Sequence, residues 1–312
     1  MPSVDSDYRF LVDEASFWVG DADAPGIELA LDSLSDQLEL CRERAESVGI
    51  ATGYEWIECR RGEQLFEVLT SADLDRDCRV RAFRLLDKCG RFDASADFYV
   101  DPQVRVDGHD LQSYAIAAAL QAGRARHAIG VFAMLPVYRP GVVVVSDESG
   151  EATIVAITSP QSRVLFYREL YSVEQVDEDA FFDIARLAFP AIRFADGVTF
   201  RRLDGSYDAL RATVVYHLCC INDSFKKAYS EHYGRSDEVS SAMGIDISIE
   251  SSNTRQSERL MRERDATYDG KVYRCEWHSK LEPHRNRIHL HPGDAASDDC
   301  VVIGMFVDHL ST

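Results

Sequence analysis

The chain has 312 residues, of which 46% are hydrophobic and 10% aromatic, and its formal net charge is −19. This length and composition are sufficient for two buried cores, so we expect two domains. Residues 1–195 carry −15 of the charge, which repels phosphates and argues against duplex DNA binding across that surface. A secretory signal pattern and a run of 18 apolar residues are both missing, so we expect a cytoplasmic protein without membrane association.

The N-terminal part, residues 1–192, alternates helix and strand signals. Apolar residues spaced four and three apart from Ile27 to Val48 predict a helix that ends at Gly49. Further helices are predicted over 74–89, 111–128 and 166–189, and strands over 54–59, 64–69, 131–135, 141–146 and 151–157, the last two forming a hairpin. We therefore expect an acidic mixed α/β domain with a sensing or regulatory role.

The C-terminal part, residues 193–312, has a simpler pattern. A strand is predicted over 198–203, and it is followed by a long helix whose apolar face contains Leu210, Val214, Leu218, Ile221, Phe225 and Tyr229. Shorter helices are predicted over 237–243 and 254–264, and strands over 271–281, 286–291 and 300–307. The whole chain is thus expected to be α+β, with a β-α-α-β-β-β unit at its end.

The segment from Tyr273 to Gly293 is the most basic stretch of this acidic chain, with three arginines, one lysine and four histidines. Alternate side chains of a strand point to opposite faces, so this segment divides into two sets. One set is apolar and predicts a core face: Tyr273, Cys275, Trp277, Ile288 and Leu290. The other set is polar and predicts a solvent-facing surface: Arg274, Glu276, His278, Lys280, Arg287, His289 and His291, with Arg285 in the turn and His309 after the last strand.

Such a surface suits an anion, and it has the groups needed to cleave RNA without a metal or another cofactor. Histidine transfers protons near neutral pH, and arginine binds phosphate through a planar set of donors. In this hypothesis His278 and His289 are the general acid and base, and Arg287 and Arg274 hold the scissile phosphate. Glu276 orients a histidine, and four further residues contact the substrate backbone: Lys280, Arg285, His291 and His309.

Three alternatives stay open at this point. A zinc site can be drawn from His278, His289 and His291 with Cys275 or Cys300, although strand alternation places Cys275 on the other face. A solvated, ion-paired sheet face without any catalytic role is the second. The third is a binding surface for an acidic protein partner, or for the chain's own acidic N-terminal domain, so the chain need not be an enzyme.

Short patterns in the C-terminal part are also found in a known family. Arg274 lies in the first of the three closing strands, Arg287-Ile288-His289-Leu290 forms the next, and Ile303-Gly304 with His309 lies in the last. Together with the predicted order of elements from Val198 to His309, they resemble the RelE-like toxin superfamily of bacterial toxin–antitoxin systems. The resemblance implies an RNA-cleaving effector, here joined to another domain, in a bacterial stress or phage-defence system.

Overall fold

The structure is a computed structural model that describes residues 8–93 and 101–311. The chain divides into two compact units, Met1–Glu174 and Gln175–Thr312, and both combine helices with strands. The predicted α+β class is therefore confirmed. The division comes earlier in the chain than the predicted boundary between residues 192 and 193, so the second unit also contains the helix before that point.

Strands and helices alternate along the first unit. Its strands are β1 (Phe10–Val12), β2 (Val48–Ala51), β3 (Glu58–Arg60), β4 (Glu63–Gln64), β5 (Gly90–Phe92), β6 (Gln103–Val106), β7 (His109–Gln112), β8 (Gly130–Phe132), β9 (Gly141–Asp147) and β10 (Gly150–Ile157). Its α-helices are α1 (Ala24–Glu43), α2 (Leu65–Thr70), α3 (Arg76–Leu86), α4 (Tyr114–Arg124) and α5 (Pro160–Val173).

Eight of these strands form one sheet in the order β5-β2-β1-β8-β10-β9-β6-β7. The neighbours from β5 to β10 are parallel, while β9, β6 and β7 are added in antiparallel fashion. The predicted hairpin is confirmed, since β9 pairs with β10 and places Val143 opposite Ile154. The core on one side combines inward residues of these strands with the buried alanines of α4.

One predicted strand of the first unit is a helix. Residues 64–69 were expected to be extended because of their apolar and β-favouring residues, yet α2 occupies Leu65–Thr70. The side chain of Gln64 caps the helix, and Glu67 accepts a hydrogen bond from the Gln64 backbone amide in return. This reciprocal capping satisfies two donors at the start of the helix, and it decides between two structures that the apolar pattern allows.

The second unit begins with a helix and a short strand, and further helices and strands follow. Its helices are α6 (Glu178–Ala188), α7 (Tyr207–Cys220), α8 (Lys226–Glu231), α9 (Ser236–Met243), α10 (Ser252–Gln256) and α11 (Glu258–Arg262). Its strands are β11 (Ile192–Phe194), β12 (Ile247–Ile249), β13 (Asp265–Tyr268), β14 (Lys271–Arg274), β15 (Trp277–Glu282), β16 (Arg285–His291) and β17 (Val301–Val307). A π-helical segment, Ile221–Phe225, joins α7 to α8.

Five strands form the main sheet of this unit in the order β11-β17-β16-β15-β12. The predicted core beneath the long helix is confirmed: Trp277 is 1% exposed and its ring centroid lies 5.5 Å from that of Phe225. Tyr229 contacts the same indole from 5.8 Å. The long helix therefore packs on the sheet through its apolar face, as its sequence pattern indicates.

Two details of the C-terminal prediction are wrong. Residues 198–203 form no strand, and the strand that precedes the long helix is β11, which pairs in parallel with β17. The single strand predicted over 271–281 is broken after Arg274, and β14 pairs instead with β13. Because alternation is interrupted there, Tyr273 and Cys275 pack in a small cluster with Val302 and do not join Trp277.

None of the helices in the described ranges has the length and the apolar character that a membrane-spanning segment needs.

Candidate functional site

The two histidines proposed as acid and base lie directly opposite each other on β15 and β16. The strand register pairs His278 with His289, and their ring centroids are 5.3 Å apart. The expected solvent-facing surface is wrong, however, because His278 is only 7% exposed and His289 is fully buried. Both faces of this part of the sheet are therefore covered. The long helix covers the face of Trp277, and polar residues cover the face of the two histidines.

The cover comes from the chain that follows β12. Glu250 and Arg264 are both buried, and Arg264 Nε donates a hydrogen bond of 2.7 Å to Glu250 Oε1. The Glu250 backbone amide donates to Glu276 O, which continues the pairing of β12 with β15 and brings the carboxylate to the histidines. Glu250 Oε1 lies 3.6 Å from His278 Nδ1 and 4.0 Å from His289 Nδ1.

We call Glu250, His278 and His289 the histidine–glutamate cluster. One ligand-type atom from each residue lies within 4.8 Å of the other two. Imidazole nitrogen and carboxylate oxygen are both donors that divalent transition metals accept in proteins. The cluster is therefore a candidate metal centre, built from three residues that lie far apart in sequence.

Hydrogen bonding determines which nitrogen of His289 is available. Its Nδ1 lies 3.2 Å from the backbone oxygen of Cys275, and a carbonyl oxygen only accepts, so Nδ1 carries the proton. The lone pair is then on Nε2, which is buried and has no hydrogen-bond partner among the residues that the structure describes. A histidine held by a backbone carbonyl in this way is the usual arrangement of a metal ligand.

His278 presents a second nitrogen of this kind. Its Nε2 is 3.4 Å from Ser248 Oγ, while its Nδ1 is buried without a hydrogen-bond partner in the described part of the chain. Burial lowers the pKa of His278 to about 4, against the opposing effect of Glu250, and nearby Arg287 lowers it further. Burial and the neighbouring His278 hold the pKa of His289 well below its usual value. Both rings are therefore neutral at pH 7, which is the protonation state that metal binding requires.

The basic residues predicted to hold phosphate are mostly engaged by carboxylates of their own unit. Arg274 binds both Glu258 and Asp265, and those bonds raise its pKa. Lys280 Nζ lies 3.1 Å from Asp246, and Arg285 lies between Asp204 and Glu282. The predicted cationic surface is thus largely neutralised by local ion pairs.

Arg287 is the exception among the predicted cations. It lies opposite Lys280 on one side and Val307 on the other, and it forms no ion pair with any described residue. Its Nε is buried and lacks a hydrogen-bond partner in residues 8–93 and 101–311. Its charge contributes to the low pKa of both histidines, so it lies near the histidine–glutamate cluster.

Three predicted site residues do not join the two histidines. His291 Nδ1 accepts a hydrogen bond from Gly293 N and its ring packs against Tyr273. His309 is exposed and lies beyond the end of β17, with Nδ1 close to Leu310 O. Glu276 contributes only its backbone oxygen to Glu250, and the carboxylate beside the histidines is that of Glu250.

The zinc set drawn from the sequence is therefore only partly the set that the fold assembles. His278 and His289 are in it, but the third member is Glu250, and neither His291 nor Cys300 is. Glu250 lies just before a stretch that predicts a polar helix. Nothing in the neighbouring sequence distinguishes Glu250 from an exposed acidic residue. Only the fold brings it to the histidines.

A second buried polar site, missed by the sequence analysis, lies in the first unit at the end of β1. Asp13 accepts hydrogen bonds from Ala15 N, Ser113 Oγ and Tyr138 Oη, and Glu14 accepts from the first two amides of α4. Burial raises the pKa of Asp13, and burial with the neighbouring Asp13 raises that of Glu14 to about 7. Since these oxygens are satisfied within the unit, the pair serves to join β1 to α4.

Comparisons with protein family models, with curated proteins and with solved structures found no match to this chain.

Proposed function

We propose that the C-terminal unit binds a divalent transition-metal ion through the histidine–glutamate cluster. The observation that carries the proposal is a buried carboxylate oxygen 3.6 Å from His278 Nδ1, with the buried imidazole of His289 beside them; His278 Nδ1 and His289 Nε2 both lack a hydrogen-bond partner in the described chain. A buried polar atom without a partner is costly, and a metal ion satisfies such a lone pair. This proposal replaces the metal-free chemistry expected from the sequence.

The ligand types favour zinc or a neighbouring ion of the first transition row. Nitrogen and oxygen ligands lie about 2.1 Å from zinc, so ligand atoms of a tetrahedral site are about 3.4 Å apart. The 3.6 Å from His278 Nδ1 to Glu250 Oε1 is already close to that value. Glu250, His278 and His289 would hold the ion between β15, β16 and the chain after β12, where it would supply a Lewis acid.

The first experiment measures binding of zinc itself. The purified chain is stripped with a chelator, and zinc is then titrated against a chromogenic competitor at pH 7.5. We expect one tight equivalent, and we expect Glu250→Gln, His278→Asn and His289→Asn each to weaken it by more than about 100-fold, beyond the usual effect of outer-shell changes. His291→Asn and His309→Asn are matched controls and should bind as the parent does.

Zinc that binds weakly, or that is lost equally in the His291 and His309 variants, would contradict the proposal. Folding of each variant is checked through the fluorescence of Trp277, which is 1% exposed. A variant that keeps the parent's emission and loses zinc has lost a ligand and not its fold.

RNA cleavage is the second candidate, and two observations favour it. His278 and His289 are directly opposed, as an acid and a base on one phosphate need to be, and Arg287 forms no ion pair with the described residues. The resemblance to RelE-like toxins supports the same chemistry. Because both histidines are buried, this candidate requires the cover formed by the chain after β12 to move away.

The test of this candidate uses total RNA with and without EDTA. If the histidines transfer protons, His278→Ala and His289→Ala should each reduce cleavage by about 10² to 10⁴, and EDTA should have no effect. Arg287→Ala should weaken RNA binding, with Arg235→Ala as the unchanged control, since Arg235 is exposed and pairs with Glu238. Full activity in a double histidine variant would refute the mechanism, while cleavage that EDTA abolishes would assign the activity to the metal centre.

A binding surface for an acidic protein partner, or for the acidic N-terminal part, stays a weaker prediction. Such a surface would attract an acidic partner through cations that are not already paired. Arg274, Lys280 and Arg285 already pair with carboxylates of the same unit.

A further inference from the structure

Arg264 links the histidine–glutamate cluster to the C-terminal end of the described chain. Its side chain is 1% exposed and donates three hydrogen bonds in three directions. Nε reaches Glu250 Oε1 at 2.7 Å, Nη1 reaches Leu260 O at 2.7 Å, and Nη2 reaches Ser311 O at 3.0 Å. One guanidinium therefore holds both the candidate ligand carboxylate and the chain end.

The charge of Arg264 opposes a metal ion at the cluster. With Arg264 in place, Glu250 is neutralised by a buried partner, and a divalent ion would add two positive charges within a few ångströms of a fixed third. Buried like charges repel strongly because little water screens them. Glu250 is the carboxylate of the histidine–glutamate cluster and also the ion-pair partner of Arg264, so an ion bound there would share this anion with Arg264.

We infer that Arg264 and the metal ion compete for Glu250, and that metal binding releases the segment of Leu310 and Ser311. The inference rests on the metal binding proposed above and names how that site is controlled. When the ion takes the carboxylate, Arg264 loses its strongest partner and turns away, and the bond to Ser311 O is lost with it. The cluster then acts as a metal-dependent latch on the C-terminal end.

The segment of Leu310 and Ser311 also has other contacts in the described part of the chain. Ser311 N donates to Glu263 Oε2 at 3.1 Å, and Leu310 packs against Met305 and Val307. Glu263 directly precedes Arg264, so displacement of Arg264 also disturbs the second polar contact. The apolar contact of Leu310 is left to hold the segment alone.

The experiment combines zinc affinity with hydrogen exchange of the C-terminal peptide that contains Leu310 and Ser311. In the parent chain we expect saturating zinc to speed exchange of this peptide by about tenfold or more. Arg264→Met should bind zinc at least about tenfold more tightly than the parent, and its C-terminal peptide should exchange rapidly with or without zinc. Arg262→Met is the matched control, since Arg262 lies two residues away, is exposed and pairs with Glu258.

The results separate this inference from the proposed function. Zinc binding without any change in exchange of the parent's C-terminal peptide would overturn the latch and leave the metal centre standing. Weaker zinc binding by Arg264→Met would also overturn it, because Arg264 would then orient Glu250 as a ligand. Absence of zinc binding to both parent and variant would overturn the metal centre and the latch together. The exchange measurement on the parent decides the question even if Arg264→Met does not fold.

Discussion

Replacing Glu14 by glutamine should stabilise the first unit, and only above about pH 5. Burial raises the pKa of Glu14 from its usual 4.5 to about 7, so the folded state holds a proton that the unfolded state releases in that interval. The stability that Glu14 contributes is complete below pH 4.5 and is lost as the pH rises through 7. Glutamine is uncharged at all these pH values and so removes this loss, but its side-chain nitrogen cannot accept one of the two amide hydrogen bonds that Glu14 accepts, and that cost does not depend on pH.

The size of the effect follows from the shift in pKa. A difference of one pKa unit corresponds to about 1.4 kcal/mol, so a shift from 4.5 to about 7 corresponds to about 3 kcal/mol at pH 8. Asp13 lies beside Glu14 and has a raised pKa for the same reason, so the parent loses further stability over part of this range. The difference between parent and Glu14→Gln measures Glu14 together with its charge interaction with Asp13, because the two carboxyl groups are neighbours.

The assay is urea unfolding at half-unit steps from pH 4.5 to 8.5, followed by tryptophan fluorescence in a Trp277→Phe background. The remaining tryptophans, Trp18 and Trp56, both lie in the first unit, and Trp18 directly follows the helical turn Glu14–Phe17. We expect the stability of Glu14→Gln relative to the parent to rise by about 3 kcal/mol between pH 5 and pH 8, added to a constant offset from the lost hydrogen bond. Glu151→Gln at an exposed position is the control. Parallel curves for parent and Glu14→Gln over the whole range would refute the reasoning.

Two further predictions concern the packing of the second unit. Trp277→Ala should reduce the free energy of unfolding of this unit by about 3 to 5 kcal/mol, because the indole is buried against Phe225. Trp56→Ala is the control and should have little effect, because Trp56 is 64% exposed. Chemical denaturation followed by circular dichroism measures both variants. Gly304→Ala should reduce the free energy of unfolding by about 1 to 3 kcal/mol, because the new methyl group meets the Cys275 side chain. Adding Cys275→Ala should recover part of this loss. If the losses of the two single variants simply add in the double variant, the contact is not the cause.

The sequence predicted the parts of the second unit that depend on local pattern. The turn between β15 and β16 sets their register, and this register puts His278 opposite His289 as expected. Apolar spacing likewise predicted that Trp277 lies under the long helix. The first conclusion needs one short turn, and the second needs the apolar faces of two separate elements.

What the sequence did not reveal depends on contacts between distant residues. The polar face of β15 and β16 looks like a solvent-facing surface because histidine, lysine and arginine are usually exposed. It is covered because Glu250 pairs with Arg264 above it, and neither residue stands out in the sequence. The ion pairs of Arg274 and Lys280 involve Glu258 and Asp246, whose partners are likewise set by the fold.

The π-helical segment Ile221–Phe225 keeps the long helix aligned with the sheet. From Leu210 to Tyr229 the apolar positions span 19 residues, and at about 100° per residue a regular α-helix would end about 100° away from its starting direction. A single π turn accommodates one additional residue, so the same span completes about five full turns. Leu210 and Tyr229 therefore face the same way. The long helix therefore contains one residue more than a regular α-helix of the same number of turns. Deletion of the exposed Asp223 would leave a regular α-helix whose apolar residues still lie on one face.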